Sequence, residues 1–147
     1  MDEKYDPLKL KNQLCFPLYA VSNIITRKYK PLLDRLDLTY TQYIVMMLLW
    51  ENRQVNEKFI CDGLCLKSNT VTPLLKKLEA QGYSEKAKDS KDERNLVITL
   101  TKAGAELREK ALCVPEGIAK ELQLSPEETE TLYHILYRII EKEKKDE

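Results

Sequence analysis

Hydrophobic and polar positions follow two different periods between Leu66 and Thr101. Leucines recur at three- and four-residue spacing up to Gly82, which predicts a helix that has one apolar face and ends near this glycine. Beyond it, residues 83–88 and 96–100 predict two strands of a hairpin. The tip between these strands is almost entirely charged, so we expect it to be exposed.

Helical spacing also dominates the chain before this stretch. We predict a long helix that starts at Asp6 and Pro7 and has an apolar face on which a second helix can pack. The residues of this face are separated by three, four and seven positions and are Leu14, Leu18, Val21, Ile25, Leu32 and Leu36. Pro17 is expected to kink this helix beside Cys15, because an interior proline removes a helical hydrogen bond. Pro31 predicts the start of a further short helix.

Two more helices lead to the leucine-rich one. Residues 40–50 are apolar on nearly every side, which predicts a helix at the centre of the core. Asn56 is placed to cap a short helix, and its distance from the helix at Ser68 fits a helix-turn-helix. Together with the hairpin, these elements predict a mainly α fold with a small β wing. Residues 40–100 would form a winged helix-turn-helix.

The segment after the hairpin is predicted to be helical in two parts. Thr101 can cap the first helix, and we expect Pro115 and Gly117 to loosen the chain after it. Residues 125–128 form a capping box that opens a long apolar helix. Only residues 141–147 are predicted to be disordered.

Length and composition indicate one domain that forms a dimer. The chain has 147 residues, 33% charged residues and only 4 glycines, which favour a single, mostly helical domain. The apolar faces in residues 1–36 and 102–143 indicate that the two ends pack together and onto a second copy. There is no long apolar run and no basic-then-apolar N-terminus. We therefore expect no membrane span and a cytoplasmic location.

The polar helix face and the hairpin tip carry side chains that suit DNA. A formal net charge of zero weakly opposes this role, but the charge that faces the phosphates governs affinity. Ser68 is expected to cap the helix. Contacts with double-stranded DNA are predicted for Ser68, Asn69, Thr70, Thr72, Pro73, Lys76, Lys77, Asp92 and Arg94. For each lysine, the alternative is an ordinary solvated surface position.

Five motifs resemble one family of regulators over nearly the whole chain. They are Leu14-Cys15-Phe16, residues 29–33, Leu38-Thr39-Tyr40, residues 70–79 and residues 92–95. They are similar to the MarR family of dimeric transcription regulators, in the branch of OhrR and SarZ-like proteins that senses organic hydroperoxides. The resemblance implies a homodimer that binds a pseudo-palindromic operator, with Arg94 in the minor groove. It implies a repressor with no enzymatic activity, metal or cofactor.

The resemblance also implies a thiol sensor built across the dimer. Cys15 stands where the family has its oxidised cysteine, and Tyr29 and Tyr40 match tyrosines that hydrogen-bond this sulfur from the opposite subunit. Cys113 lies in the region of a second cysteine that, in some members, forms a disulfide with the oxidised one. Capping by a small thiol is the alternative. From the residues alone, Cys15 and Cys113 could also be small core residues.

Two other cysteines are one helical turn apart. The spacing of Cys61 and Cys65 can support a metal when two more ligands converge, but His134 is the only histidine. We predict that both cysteines pack structurally and that His134 is an ordinary helix residue.

Two rival functions stay open at this point. A thiol peroxidase would also have a reactive and a resolving cysteine, but it would turn over peroxide and ignore DNA. A MarR-like regulator controlled by a small phenolic or lipophilic ligand would have the same fold, with Cys15 incidental. Replacement of Cys15 by serine distinguishes the thiol-controlled regulator from the ligand-controlled one. DNA release that still responds fully to peroxide in this variant would remove Cys15 from the mechanism.

Overall fold

The computed structural model describes residues 2–146, which form seven α-helices, a three-stranded antiparallel sheet and two short 3-10 helices at the start. The 3-10 helices are Glu3–Leu8 and Leu10–Asn12. The other elements are α1 Cys15–Asp34, α2 Tyr40–Asn52, β1 Gln54–Asn56, α3 Glu57–Leu64, α4 Ser68–Ala80, β2 Ser84–Lys88, β3 Leu96–Leu100, α5 Lys102–Ala111, α6 Cys113–Leu122 and α7 Pro126–Lys145. This confirms the predicted fold class.

The first long helix differs from its prediction at both ends. It begins at Cys15 instead of Asp6, and Pro7 lies inside a 3-10 helix. Pro17 is therefore the third residue of α1, where a backbone N–H would have no helical acceptor, so this proline breaks no helical hydrogen bond. The predicted kink is wrong for this reason. Pro31 does not start a new helix either, because α1 continues through it to Asp34.

The core is centred on α2, as predicted. Val45, Met46 and Leu49 are fully buried in this helix. Val71, Leu75 and Leu78 cover it from α4, and Ile98, Leu107 and Val114 add β3, α5 and α6. The indole N–H of Trp50 donates to the Gly104 carbonyl at 2.8 Å, which fixes α5 against α2.

The sheet contains one strand that the sequence pattern did not predict. β1 has only three residues, too few to show a period, and pairs with β3 through Val55 opposite Ile98. β2 pairs with the other edge of β3, so the strand order is β1-β3-β2. Gly82, with φ of 84°, turns the chain from α4 into β2.

A helix replaces the loose segment predicted at Pro115 and Gly117. Pro115 is the third residue of α6, where it fits without loss of a hydrogen bond. Gly117 lets α1 approach closely, because a Cβ at this position would lie 2.8 Å from a methyl carbon of Leu32. Lys28 and Glu121 add a 3.1 Å salt bridge between the same two helices.

The terminal helix is longer than predicted. Residues 141–145, predicted to be disordered, belong to α7, and Glu147 lies outside the described residues. Lys142, Lys144 and Lys145 occupy its last turn, where positive charge is favourable to the helix dipole.

Two helices expose broad apolar faces. The exposed side chains are Leu14, Phe16, Leu18, Tyr19, Val21 and Ile24 around α1, and Leu132, Tyr133, Ile135, Tyr137 and Ile139 on α7. Within one chain α1 packs on α6. Exposed apolar faces of this size mark protein interfaces. Among residues 2–146, no helix is both long and apolar enough to cross a membrane.

Candidate redox sensor and nucleic-acid interface

Three tyrosines meet where α1 packs on α2. The ring centroids of Tyr29 and Tyr40 are 4.8 Å apart, and Tyr43 lies 5.9 Å from Tyr29 and 6.5 Å from Tyr40. Tyr29 and Tyr40 are half-buried, whereas Tyr43 is only 3% exposed. The structure thus brings together the two tyrosines predicted for the sensor and adds Tyr43, which was not predicted as a sensor residue.

The surroundings keep these phenols protonated. Burial raises the pKa of Tyr29 to about 12, with smaller contributions from Tyr40 and Tyr43. Burial also raises the pKa of Tyr40, with Tyr137 as the second cause. A phenol that stays neutral at high pH keeps its hydroxyl proton, so it can donate a hydrogen bond to a thiolate.

Cys113 is close enough to the same cluster to affect the pKa of one of its tyrosines. It is the exposed first residue of α6, and its thiol donates to the Lys110 carbonyl at 3.5 Å. The pKa of Tyr43 is raised by burial first, then by Tyr40 and by Cys113, so the sulfur is close enough to influence this phenol. Cys113, which was predicted as the second cysteine, is therefore in the region of the predicted sensor.

Cys15 cannot reach Tyr29 of its own chain. It is the exposed first residue of α1, and Tyr29 follows 14 residues later in the same helix. At about 1.5 Å per residue, the two residues are separated by about 21 Å along the helix axis. A contact between them therefore requires two copies of the chain.

Helix α4, the candidate recognition helix of the predicted helix-turn-helix, has the two faces that the sequence predicted. Val71, Leu75 and Leu78 are buried against α2 and α3, and the opposite face is open to solvent. The exposed residues of that face are Ser68, Asn69, Thr70, Pro73, Lys76 and Lys77. Ser68 was predicted to cap this helix, but it does not. Lys67 occupies the cap position without a side-chain hydrogen bond, and Ser68 is the first helical residue.

Thr72 differs from its neighbours on α4. It is half-buried, and its hydroxyl donates to Glu57 Oε1 at 2.6 Å. This bond joins the recognition helix to the first turn of α3. The hydroxyl proton is thus already used within the protein, and Thr72 offers DNA an acceptor only.

The hairpin tip presents Arg94 to solvent. Its side chain is 94% exposed, and Asp92 Oδ1 accepts from the Arg94 backbone N–H at 3.0 Å and from its Nε at 3.5 Å. Asp92 therefore shapes the turn and orients the guanidinium, as the sequence predicted.

A groove connects the hairpin tip to the start of the recognition helix. Arg94 and Asn95 line one side, and α3 and the α3–α4 turn line the other with Asn56, Lys58, Lys67 and Ser68. Neither Asn56 nor Lys58 was predicted to lie on this surface. The only available signal was their position at the start of a short helix before the recognition helix.

The remaining candidate ligands form no metal centre. His134 is exposed on α7 with Nε2 3.7 Å from Glu130, and among residues 2–146 no three His, Cys, Asp or Glu side chains converge on one point. The packing prediction holds for Cys61, which is half-buried against the core. It is wrong for Cys65, which is exposed because it lies past the end of α3 in a left-handed conformation.

Comparisons with known proteins agree with this geometry. Residues 27–111 match the family described as Transcriptional regulator SarA/Rot. The Organic hydroperoxide resistance transcriptional regulator of Bacillus subtilis (strain 168) is 44% identical over 141 residues, which are 96% of each chain.

Solved structures of AbfR, a protein of Staphylococcus epidermidis, are also similar. Reduced AbfR bound to DNA is 35% identical, with a TM-score of 0.76 over 95% of this chain and 97% of that one. The disulfide form of AbfR is 36% identical, with a TM-score of 0.64 over 93% of this chain and 96% of that one.

Proposed function

The chain belongs to the MarR family of transcription regulators, in the branch of the organic hydroperoxide resistance regulators, and from this membership we propose that Cys15 is the thiol that controls its DNA binding. The protein is a redox-sensing, DNA-binding regulator of this family. We propose that it is a repressor and that it acts on DNA in the cytoplasm.

The tyrosine cluster is the observation that carries this proposal. Cys15 of one subunit would lie against Tyr29 and Tyr40 of the partner subunit, because its own Tyr29 is about 21 Å away along α1. Two neutral phenols that donate to the sulfur would stabilise its thiolate, which is the reactive form. Residues 1–36 and 102–143 would form the dimer interface that brings them together.

Oxidation then gives a defined product. The Cys15 thiolate attacks the terminal hydroxyl oxygen of an organic hydroperoxide, and the O–O bond breaks. The sulfur keeps this hydroxyl as a sulfenic acid, and the alkoxide leaves and takes a proton from water to become an alcohol. Cys113 of the partner subunit attacks that sulfur, which forms a disulfide and releases water. The influence of Cys113 on the pKa of Tyr43 supports this step, because Tyr43 belongs to the cluster that would hold Cys15. A small thiol can take the place of Cys113 in the same reaction.

The disulfide changes the spacing of two DNA-reading units. In the reduced dimer, the exposed face of each α4 would enter the major groove, with Arg94 in the adjacent minor groove and Lys76 and Lys77 at the phosphates. A bond between Cys15 and Cys113 requires both to move, so the two recognition helices no longer match one pseudo-palindromic operator. The regulator then releases its DNA.

An operator-binding titration tests the proposal. A duplex is first selected from a random pool with the reduced protein, and its affinity is measured before and after cumene hydroperoxide. We expect loss of affinity on oxidation and recovery with dithiothreitol. Cys15→Ser should bind the duplex in both conditions. Release of DNA by oxidised Cys15→Ser would remove this cysteine from the mechanism.

Cys113→Ser tests whether Cys113 or a small thiol reacts with the sulfenic acid of Cys15. After oxidation, the parent protein should run as a covalent dimer on a non-reducing gel, and the variant should not. Addition of a small thiol to the oxidised variant should give a mixed disulfide at Cys15, detected by mass spectrometry. A covalent dimer that persists in Cys113→Ser would exclude the proposed pairing.

A further inference from the structure

Two cysteines outside the sensor line one pocket at the junction of three helices. Cys61 and Cys65 lie on α3 and its C-terminal cap, and Leu66 follows them in the turn to α4. Ile139 and Ile140 of α7 close the other side. The rest of the lining is charged and consists of Asp62, Lys67, Glu143 and Lys144. The pocket therefore combines two thiols with an apolar part and a charged part, directly before the recognition helix.

The two thiols belong to the same turn of the chain. The Cys65 N–H donates to the Cys61 carbonyl, which holds the two residues together at the end of α3. Cys65 is left-handed, with φ of 56°, so its side chain does not continue the helical row of Cys61. Both residues line the same pocket, so an atom that enters this pocket can reach both sulfurs.

We propose that Cys61 and Cys65 bind a monosubstituted trivalent arsenical, an organic compound whose single arsenic atom bonds to both sulfurs. The arsenic carries two hydroxyls in water. Each thiol displaces one hydroxyl, so two As–S bonds form and two molecules of water leave. The arsenic stays trivalent, and the reaction needs no oxidant or reductant.

The number of thiols in the pocket favours this chemistry over zinc and over inorganic arsenite. A tetrahedral zinc site needs four ligands, and among residues 2–146 not even three potential ligands converge. Inorganic arsenite has three bonds to fill and would find only two thiols. A monosubstituted arsenical fills its third bond with an organic group, which the half-buried Leu66 and Ile140 can cover.

The surroundings of Cys61 make it a poor target for peroxide. Burial raises its pKa, and the carboxylates of Glu57 and Asp62 raise it further, so this thiol stays protonated near neutral pH. Peroxide reacts with the thiolate, which is the minor form here. Binding of the arsenical leaves no net proton on the sulfur, because the thiol proton leaves with the water when the As–S bond forms.

Binding at this site would act on DNA recognition without Cys15. Cys65 is separated from Ser68, the first residue of α4, by only Leu66 and Lys67. A ligand bonded to α3 and covered by α7 would hold this turn in one position relative to the terminal helix. The recognition helix would then respond to a thiophile as a second signal.

Phenylarsine oxide tests the site in a protein that keeps only these two cysteines. The Cys15→Ser/Cys113→Ser variant is treated with one equivalent, dialysed against excess glutathione and measured by native mass spectrometry. We expect one phenylarsenic group per chain, released by a dithiol such as dimercaptopropanol. Because two linked bonds raise retention by about 100-fold or more, the group should survive the monothiol.

Matched variants decide whether both sulfurs are needed. Cys65→Ser and Cys61→Ala, each in the same background, should lose the group to glutathione about 100-fold more readily. Circular dichroism establishes that each variant is folded, and Cys65→Ser is the decisive one because Cys65 is exposed. No retention in the folded two-cysteine protein, or equal retention in Cys65→Ser, would overturn the proposal. These readouts do not depend on DNA binding.

Discussion

Gln42 Nε2 donates to Gln81 Oε1 at 3.4 Å, which joins the start of α2 to the end of the recognition helix. Gln42 is only 5% exposed, and its side chain also completes the capping box with Thr39. Gln81 Nε2 donates to the Asp37 carbonyl at 2.8 Å in the turn before α2. Tyr40, the first residue of α2, thus belongs to a segment that is hydrogen-bonded directly to α4.

Gln81→Ala should weaken the coupling between oxidation and DNA release. The substitution removes both bonds of Gln81, so motion at Tyr40 would move α4 less. We expect Cys15 to oxidise at the parent rate while the ratio of DNA affinities, reduced over oxidised, falls. Each lost hydrogen bond should lower the free energy of unfolding by about 1 kcal/mol.

A double-mutant cycle with Gln42→Ala checks that the two glutamines act through each other. Since they share a bond, the double variant should be more stable than the sum of the single losses predicts, by about 0.5 kcal/mol or more. Additive losses, with an unchanged affinity ratio in Gln81→Ala, would show that this contact carries no coupling.

Tyr29 should make the protein sensitive to alkaline pH. Its pKa rises from the ordinary tyrosine value of 10.0 to about 12 in the folded chain because the phenol is shielded from water. The folded state therefore binds this proton more tightly than the unfolded state. The resulting stabilisation is complete below pH 10 and is lost as the pH rises to about 12.

Phenolate absorbance and denaturant unfolding measure this effect together. The midpoint of urea unfolding should fall between pH 10 and 12, and Tyr29→Phe should show a shallower fall. The variant should also lose one late-ionising phenol from the absorbance titration. Tyr5→Phe is the matched control, because Tyr5 is exposed and lies outside the cluster. An equally steep fall in Tyr29→Phe would contradict the assignment.

Thr72→Val should weaken DNA binding indirectly. Valine keeps the shape of threonine but leaves Glu57 without its donor, at a cost of about 1–3 kcal/mol in stability. The loosened contact between α3 and α4 should lower operator affinity. Thr72→Ser keeps the hydroxyl and should restore both properties. If the serine and valine variants bind DNA equally, the bond to Glu57 does not position the helix.

The elements with strong local signals could be predicted from sequence, and those defined by distant partners could not. The capping box at Ser125 and the caps at Asn56 and Thr101 are local hydrogen bonds, and each marks a helix start as predicted. β1 exists only because β3 pairs with it. The errors at Pro17 and Pro115 share one cause, since a proline in the first turn of a helix costs no hydrogen bond.

The proposed sensor shows the same division. Cys15, Tyr29 and Tyr40 were predicted from the motifs they belong to, but the influence of Cys113 on Tyr43 depends on how α6 folds back onto the chain. Thr72 was predicted to face DNA because it lies on a polar turn. Its bond to Glu57, 15 residues earlier, follows from the packing of α3 on α4.

Arg94→Ala should reduce operator affinity through the minor groove. The side chain is 94% exposed and oriented only by Asp92, so its removal should leave the fold and its stability unchanged. One lost phosphate or groove contact should lower the slope of log affinity against log salt by about 1. Arg94→Lys keeps the charge but not the planar guanidinium. It should therefore retain the salt slope of the parent protein and bind the operator with an affinity between those of the parent protein and Arg94→Ala. Lys110→Ala, an exposed cation on α5 away from the groove, serves as the control and should change neither quantity. Parent affinity and an unchanged salt slope in Arg94→Ala would mean that the hairpin tip does not contact DNA.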